Sequence, residues 1–230
     1  MAARRRLLAP ASTLLLAAGI SACGGGAHRP APSALLRSAR ASLDQTPALR
    51  FSLTSVGVSG PGADLVGGAG ELARPGSLEG TFQVSTSGIQ VGVKVIAIGS
   101  RFWAVLPFRS TYSRVDPAQF GLTDPGELLS PTRGLANLLT DMAGNARYEA
   151  SVRLGGELLY VVSGTVAGSM VPVLPDADPS RPVHLTVYVD PTTDQVRQVT
   201  LAGPFTSSRT SRYAVRLSGY GTHATISPPG

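Results

Sequence analysis

The 230-residue chain has one cysteine, one tryptophan, one lysine (Lys94) and three histidines. Each scarcity excludes something. A lone Cys23 leaves no partner for an internal disulfide, so the fold must rest on packing. His28, His184 and His223 stand far apart, without metal-ligand spacing or an acidic neighbour, so no metal site is expected. There is no Gly-x-Ser-x-Gly elbow and no glycine-rich phosphate loop. Asp116, Asp124, Asp176 and Asp178 each adjoin a proline and read first as turn or cap residues. An enzyme is therefore not expected, nor a cofactor. The formal charge is +6, but half of it sits on Arg4, Arg5 and Arg6. Beyond them no Lys/Arg cluster remains that could form a nucleic-acid footprint. Long apolar runs are missing too. The one candidate, Leu7 to Ile20, is broken by Pro10, Ser12, Thr13 and Gly19 and falls short of the about 20 residues a membrane span takes.

That run belongs instead to a leader. Arg4 to Arg6 form a positive n-region, Leu7 to Ile20 a short apolar region, and small residues follow, as in a secretory signal peptide. Ile20-Ser21-Ala22-Cys23 resembles the bacterial lipobox. The resemblance implies a signal peptide over 1–22, cleavage before Cys23 and acylation of its thiol. Two or three acyl chains would anchor the protein stably, whereas a single chain binds only marginally. The expected location is the extracytoplasmic face of the plasma membrane. Residues 23–32 read as a flexible tether, and 33–230 as a single domain.

Along that domain the hydrophobic period changes twice. Ser33 to Gln45 reads as a helix, with Ser33 as cap, Leu35, Leu36, Ala39 and Leu43 on one stripe, and Pro47 beyond its end. Then the period becomes two. Arg50–Val58, Leu65–Ala73, Leu78–Thr86, Ile89–Ile98 and Arg101–Leu106 read as strands of an antiparallel meander with one wet face. In the fourth, Ile89, Val91, Val93 and Val95 share a face. Asp116-Pro117 and Asp124-Pro125 resemble helix starts, and Ser130-Pro131 opens a helix over Thr132–Ala143 with Leu135, Leu138, Leu139 and Met142 as its stripe. Ala146–Leu154, Glu157–Val166, Val183–Val189, Gln195–Ala202 and Arg209–Gly219 complete the strands, with a short helical turn expected in Ser169–Leu174. The order helix, strands, helices, strands is α+β with one continuous antiparallel sheet.

The middle section carries a resemblance. Asp124-Pro125, Leu128-Leu129-Ser130-Pro131 and Gly134-Leu135-Ala136-Asn137-Leu138-Leu139 are similar to the actinobacterial lipoprotein family that includes LprG, LprA, LprF and LppX. The likeness runs from about Leu49 to Pro228-Pro229. It takes in the Pro75 turn and the closing Ser218-Gly219-Tyr220-Gly221, and the Gly-Leu-Ala-Asn run is nearest the LprG branch. The resemblance implies a strongly curved antiparallel sheet, a half-barrel similar to that of the LolA and LolB carriers. Helices would lie over its concave face, with an apolar cavity between. It also implies an acylated glycolipid or other multi-acyl lipid as ligand, carriage within the envelope, and a major-facilitator exporter as partner.

The residues agree with such a cavity. Phe82, Val84, Val91, Val93, Val95, Phe102, Leu135, Leu138, Leu139 and Met142 fall on apolar faces and are the candidate lining, although an ordinary dry core would use them equally. Gly67, Gly68, Gly70, Gly80 and Gly92 interrupt the strands, and glycine there marks bends and bulges. Arg101 and Arg133 are the candidate head-group contacts, because the guanidinium fork matches phosphate. Arg109 and Arg114 are near them in sequence, and Trp103 and Tyr112 could edge a mouth. An adaptor lipoprotein with a closed core, docking a partner protein, is the alternative.

Overall fold

The computed structural model describes residues 29–58, 64–120, 125–130, 132–171, 180–206 and 209–230. The expectations for the leader, Cys23, His28, Asp124, Pro131, Asp176 and Asp178 fall outside the described residues. Helix α1 (Pro32–Gln45) is followed by strands β1 (Ala48–Val56), β2 (Asp64–Ala73), β3 (Ser77–Thr86), β4 (Ile89–Ile98), β5 (Arg101–Val105) and β6 (Ser113–Arg114). Two 3-10 turns, Pro117–Phe120 and Pro125–Leu129, lead to α2 (Leu135–Met142). Then come β7 (Arg147–Tyr148), β8 (Val152–Leu154), β9 (Glu157–Ala167), a turn at Gly168–Met170, β10 (Pro182–Val189), β11 (Val196–Thr206) and β12 (Arg209–Ser218). Among the described residues no helix is long and apolar enough to cross a membrane.

All pairings are antiparallel, in the order β6-β5-β4-β3-β2-β1-β12-β11-β10-β9-β7, with β8 on β9. β1 lies between β2 and β12, so the two halves of the chain meet at mid-sheet. The sheet must curl. Side by side at about 4.8 Å, the strands of this path would make a flat sheet about 50 Å wide. α1 is only about 21 Å long and α2 about 12 Å. Yet one buried cluster runs from Phe102 and Ala104 on β5 to Val162 and Val166 on β9, and it includes the apolar stripes of both helices. The result is an open, curved antiparallel sheet with its helices on the inner face.

Glycine makes the curl possible. Gly70 of β2 pairs with Gly80 of β3. A Cβ on Gly70 would lie 2.1 Å from the Glu79 carbonyl oxygen, and one on Gly80 would lie 2.6 Å from that of Ala69. The two backbones approach closer there than side chains allow. Gly68 makes room for the Phe82 ring, whose Cδ1 would be 2.7 Å from an added Cβ. By register Gly68, Gly70 and Gly80 share the inner face with Leu72, Leu78 and Phe82, whereas Gly67 and Gly92 flank Gln83 on the outer face. Gly164 serves α2 in the same way: a Cβ would lie 2.6 Å from Met142 Cγ.

Several expectations are corrected. Ser33 does not cap α1. The helix opens one residue earlier with Pro32, which has no N–H to satisfy, and the Ala31 carbonyl accepts from the N–H groups of Ala34 and Leu35. Helix α2 starts at Leu135 rather than Thr132, because Gly134 before it is extended (φ −87°, ψ −169°); a Cβ there would lie 2.5 Å from the carbonyl oxygens of Leu128 and Ser130. The two Asp-Pro signals yield 3-10 turns, the first closed by Asp116 Oδ1 accepting from the Ala118 N–H at 2.9 Å. Ala146–Leu154 is two short strands, not one. Ile89 shares the inner parity of Val93 and Val95 but is exposed, since it pairs with Thr86 at the hairpin tip, beyond the reach of the helices.

Two arginines brace the fold. Arg74 donates to the carbonyls of Leu43 (3.0 Å), Thr46 (3.1 Å) and Leu129 (2.6 Å), and its guanidinium lies 3.6 Å from Asp44. It thereby satisfies the C-terminal carbonyls of α1 and ties them to the Pro125–Leu129 turn. Arg29 lies over the rings of Tyr148 (4.6 Å) and Tyr160 (4.5 Å) and donates to Ser151 Oγ, while the Tyr148 hydroxyl donates to the Pro30 carbonyl. The segment ahead of α1 is thus pinned to the β7–β9 edge.

Gly70→Ala should cost at least about 2 kcal/mol, within the range for overpacking, because the clash is with backbone. Gly144→Ala, which meets nothing within 4 Å, should be neutral or slightly stabilising. Urea unfolding of the two variants checks this.

Candidate functional site

Between the sheet and α2 lies a cavity of about 60 Å³. Its wall is drawn from both halves of the chain. β1 gives Phe51 and Leu53, β2 gives Leu65 and Leu72, and β3 gives Phe82. The Pro125–Leu129 turn gives Leu128, and α2 gives Leu135 and Leu138. Val171, Leu201, Tyr213 and Val215 close the far side. Beside the cavity the Phe82 ring fills the space that Gly68 leaves, and the rings of Phe51 and Phe82 stand with centroids 5.7 Å apart. α2 cannot sink further, because its C-terminal Met142 already rests on Gly164.

The wall is apolar apart from the Tyr213 hydroxyl. Among the described residues no carboxylate, histidine or cysteine lines it. Among the described residues no group of three such side chains is placed to hold a metal ion. Such a wall binds by removing apolar surface from water, at about 25 cal/mol per Å², and it offers no acid, base or nucleophile. A larger groove of about 480 Å³ runs between α1 and the β10–β11 turn, but Ser38, Ser42, Gln45 and Asp194 line it, and an acyl chain gains nothing by entering a wet, polar cleft.

The shifted titratable groups, Tyr112, Tyr148, Asp190 and Tyr220, are not among the residues of the cavity wall. Burial pushes the Tyr220 hydroxyl far up, and it donates to the Val196 carbonyl at 2.6 Å. Burial alone would raise Asp190, but hydrogen bonds from Thr192 and Thr193 and the Arg197 guanidinium hold it below the usual carboxylate value. Both belong to the end of the sheet where β10 turns into β11.

Of the ten candidate lining residues, Phe82, Leu135 and Leu138 stand in the cavity wall. Val84, Val93, Val95, Phe102, Leu139 and Met142 are buried in the same core outside that wall, and Val91 is half-buried against it. The two candidate head-group arginines are exposed and apart in the sequence of elements. Arg101 lies 5.5 Å from the Trp103 ring at the start of β5, and Arg133 pairs with Glu127 beside Leu128. The reading of the sequence missed Phe51, Leu53, Leu65, Leu72, Leu128, Val171, Leu201, Tyr213 and Val215 as wall residues. The signal was available for Phe51 and Leu53, which alternate with Ser52 and Thr54. It was not available for β11 and β12, because only the position of β1 beside β12 brings them to the cavity. Arg74 carried one clue, its place just before Pro75.

The comparisons with known proteins agree with this architecture. A family model described as LppX_LprAFG lipoprotein matches residues 31–226. The chain is 28% identical over 199 residues to the lipoarabinomannan carrier protein LprG of Mycobacterium tuberculosis (strain H37Rv), covering 83% of this chain and 82% of that one. The protein of the same name from Mycobacterium bovis (strain BCG / Pasteur 1173P2) matches to the same extent. Among solved structures, LprF from Mycobacterium bovis superposes with a TM-score of 0.70 at 16% identity, over 87% of this chain and 98% of that one. LppX from Mycobacterium tuberculosis does so with a TM-score of 0.61 at 15% identity, over 87% and 100%. At those identities the likeness is one of fold.

Phe82→Ala should cost about 3–5 kcal/mol, as for other buried aromatic truncations. The enlarged cavity should admit a small apolar probe such as benzene, as engineered apolar cavities of about 150 Å³ do. Guanidinium unfolding reads the first effect, and NMR shifts of the lining methyl groups read the second.

Proposed function

From the premise that the chain belongs to the LppX_LprAFG lipoprotein family, we propose that it is a membrane-anchored carrier of acylated lipids in the cell envelope. In this reading Cys23 bears the covalent anchor on the extracytoplasmic face of the plasma membrane, residues 23–32 are the tether, and residues 33–230 hold cargo chains between sheet and helices. The cargo is an acylated glycolipid or another multi-acyl lipid, passed on to a partner membrane or a major-facilitator exporter. The observation that supports the reading most is the apolar cavity beneath α2, in a fold shared with LprF and LppX. The name of the relative LprG, a lipoarabinomannan carrier, points the same way.

The cavity volume sets the energetics. About 60 Å³ is smaller than an acyl chain needs. A chain therefore enters by separating the Phe51–Phe82 ring pair and lifting α2 and the Pro125–Leu129 turn. Each buried methylene contributes about 0.8 kcal/mol, so a dozen contribute about 10 kcal/mol. An aromatic pair is worth about 1 kcal/mol beyond its area. Cargo burial exceeds the loss of that ring pair, and head groups stay outside the apolar wall; the candidate contacts Arg101 and Arg133 lie toward the end of the sheet where β5 begins. The same small volume favours the second reading, an adaptor lipoprotein whose closed core only supports a surface that docks a partner protein.

Native mass spectrometry separates the two. Non-acylated chain purified from lipid-containing cells should carry a co-purifying acyl lipid. Val215→Trp, at a half-buried wall position, should reduce that lipid severalfold with little change in melting temperature. A chain with no bound lipid would favour the adaptor. Cys23→Ser should abolish incorporation of labelled palmitate and release the protein from the membrane fraction.

A further inference from the structure

We propose that the end of the sheet at which β1, β3, β5, β9 and β11 finish is a docking rim for a bilayer containing anionic phospholipid, and that it sets the lower end of the apolar cavity against the lipid surface. The inference rests on the carrier reading above and names the surface through which that cargo would pass.

Six large apolar side chains stand exposed among the described residues, and four of them gather at this one end. They are Val56 (70% exposed), Ile89 (68%), Phe108 (107%) and Met170 (37%). They come from four separate connections, and the register brings them to one rim. Val56 pairs with Arg212 near the start of β12. Ile89 pairs with Thr86 at the tip of the β3–β4 hairpin. Phe108 follows β5, which runs in the direction of β3. Met170 follows β9, whose Ala167 pairs with Pro182 at the start of β10. By register Val56 lies on the outer face and Ile89 on the inner one, so apolar residues edge both faces of this end. Such residues scattered singly need no explanation, but four of six at one end of the sheet mark an interaction site.

Phe108 strengthens the case. Its φ is 65°, in the left-handed region that a bulky residue adopts only at a cost. A glycine or asparagine would make the same turn without strain. The turn instead holds an aromatic ring wholly in solvent, the type of side chain that settles at a membrane–water interface.

Charge selects the partner. Arg109, Arg181 and Arg212 are exposed at the same end. The half-buried Asp64 is the one described carboxylate there. Basic residues around an apolar tip fit an anionic lipid surface, where each adds attraction. The cavity reaches this end as well. Its wall includes Leu65, one residue from the start of β2, and Val171, just beyond β9. A chain that crosses at this rim never meets bulk water.

The test uses the mature chain from residue 23 with Cys23→Ser, so that no acyl anchor contributes, in flotation with vesicles. It should partition onto equimolar phosphatidylglycerol–phosphatidylcholine at least about tenfold more strongly than onto phosphatidylcholine alone. Ile89→Ser combined with Phe108→Gly should lower that partition about tenfold or more, while Phe108→Gly alone melts no earlier than the parent because it relieves the left-handed strain. Arg109→Gln with Arg212→Gln should reduce the preference for the anionic vesicles. Val152→Ser with Leu158→Ser, on the β8–β9 hairpin at the other end, should change nothing. The proposal is overturned if the parent binds neither vesicle, which would leave the rim to a protein partner, or if the rim variant floats like the parent, or if the hairpin variant loses as much. Co-purified lipid, read by native mass spectrometry on the same samples, separates the failures. Lipid present without vesicle binding overturns the rim alone, whereas no lipid in any sample overturns the carrier reading beneath it.

Discussion

The structure depends on one close approach, the pairing of Gly70 with Gly80 across β2 and β3. A sheet this wide can share a single core with a 14-residue and an 8-residue helix only by wrapping around them. Wrapping crowds the inner face, where side chains converge. Two strands that drop their Cβ atoms at the point of convergence relieve that crowding, and Gly68 extends the relief by one position on the same face. The cost is local: glycine loses more backbone freedom on folding than any other residue. The gain is shape. The cavity lies on the same inner face, with Phe51 and Phe82 in its wall.

The two ends of the sheet are built differently. At one end Arg74 gathers three carbonyls from α1, the residue after it and the Pro125–Leu129 turn, Tyr220 bonds to Val196, and Arg197 pairs with Asp190 and Glu157. Several polar groups pair there, which fixes geometry, although Asp44 Oδ1 and Thr222 Oγ1 are buried without a hydrogen-bond partner. The opposite end carries Val56, Ile89, Phe108 and Met170 in solvent. A polar brace holds helices and strands together at one end, which leaves apolar surface free at the other.

Much of this was legible in the sequence because strand alternation and helix stripes are local. Leu78, Phe82 and Val84 against Glu79, Thr81 and Gln83 placed β3 and its faces, and Leu35, Leu36, Ala39 and Leu43 placed α1 within one residue. The strand glycines announced a bend, although a period of two cannot by itself say that Gly67 and Gly92 face outward while Gly68 faces inward, because a bulge between Leu65 and Gly67 shifts the register. The cavity wall was the least legible part. Much of it comes from β1, β11 and β12, whose meeting is decided by a pairing between the first strand and the last, about 160 residues apart. The resemblance to a known family supplied the fold where periodicity could not, and it could not supply the wall.

The apolar character of that wall and its small volume are one fact. A hollow lined by hydrogen-bonding groups can be kept open by ordered water, whereas an apolar one offers water no partners. Its walls close in to recover the dispersion attraction that a gap forfeits. A site built from Leu53, Leu65, Leu138 and Val215 therefore rests nearly shut, with Phe51 and Phe82 as its filling. Affinity for a chain is then the difference between burying that chain and parting those side chains. If the cavity takes the cargo proposed above, the cost of parting is incurred once and the gain grows with every methylene, which favours long or multiple chains over short single ones. Selectivity of this kind needs no polar contact in the wall, and the wall has almost none to give.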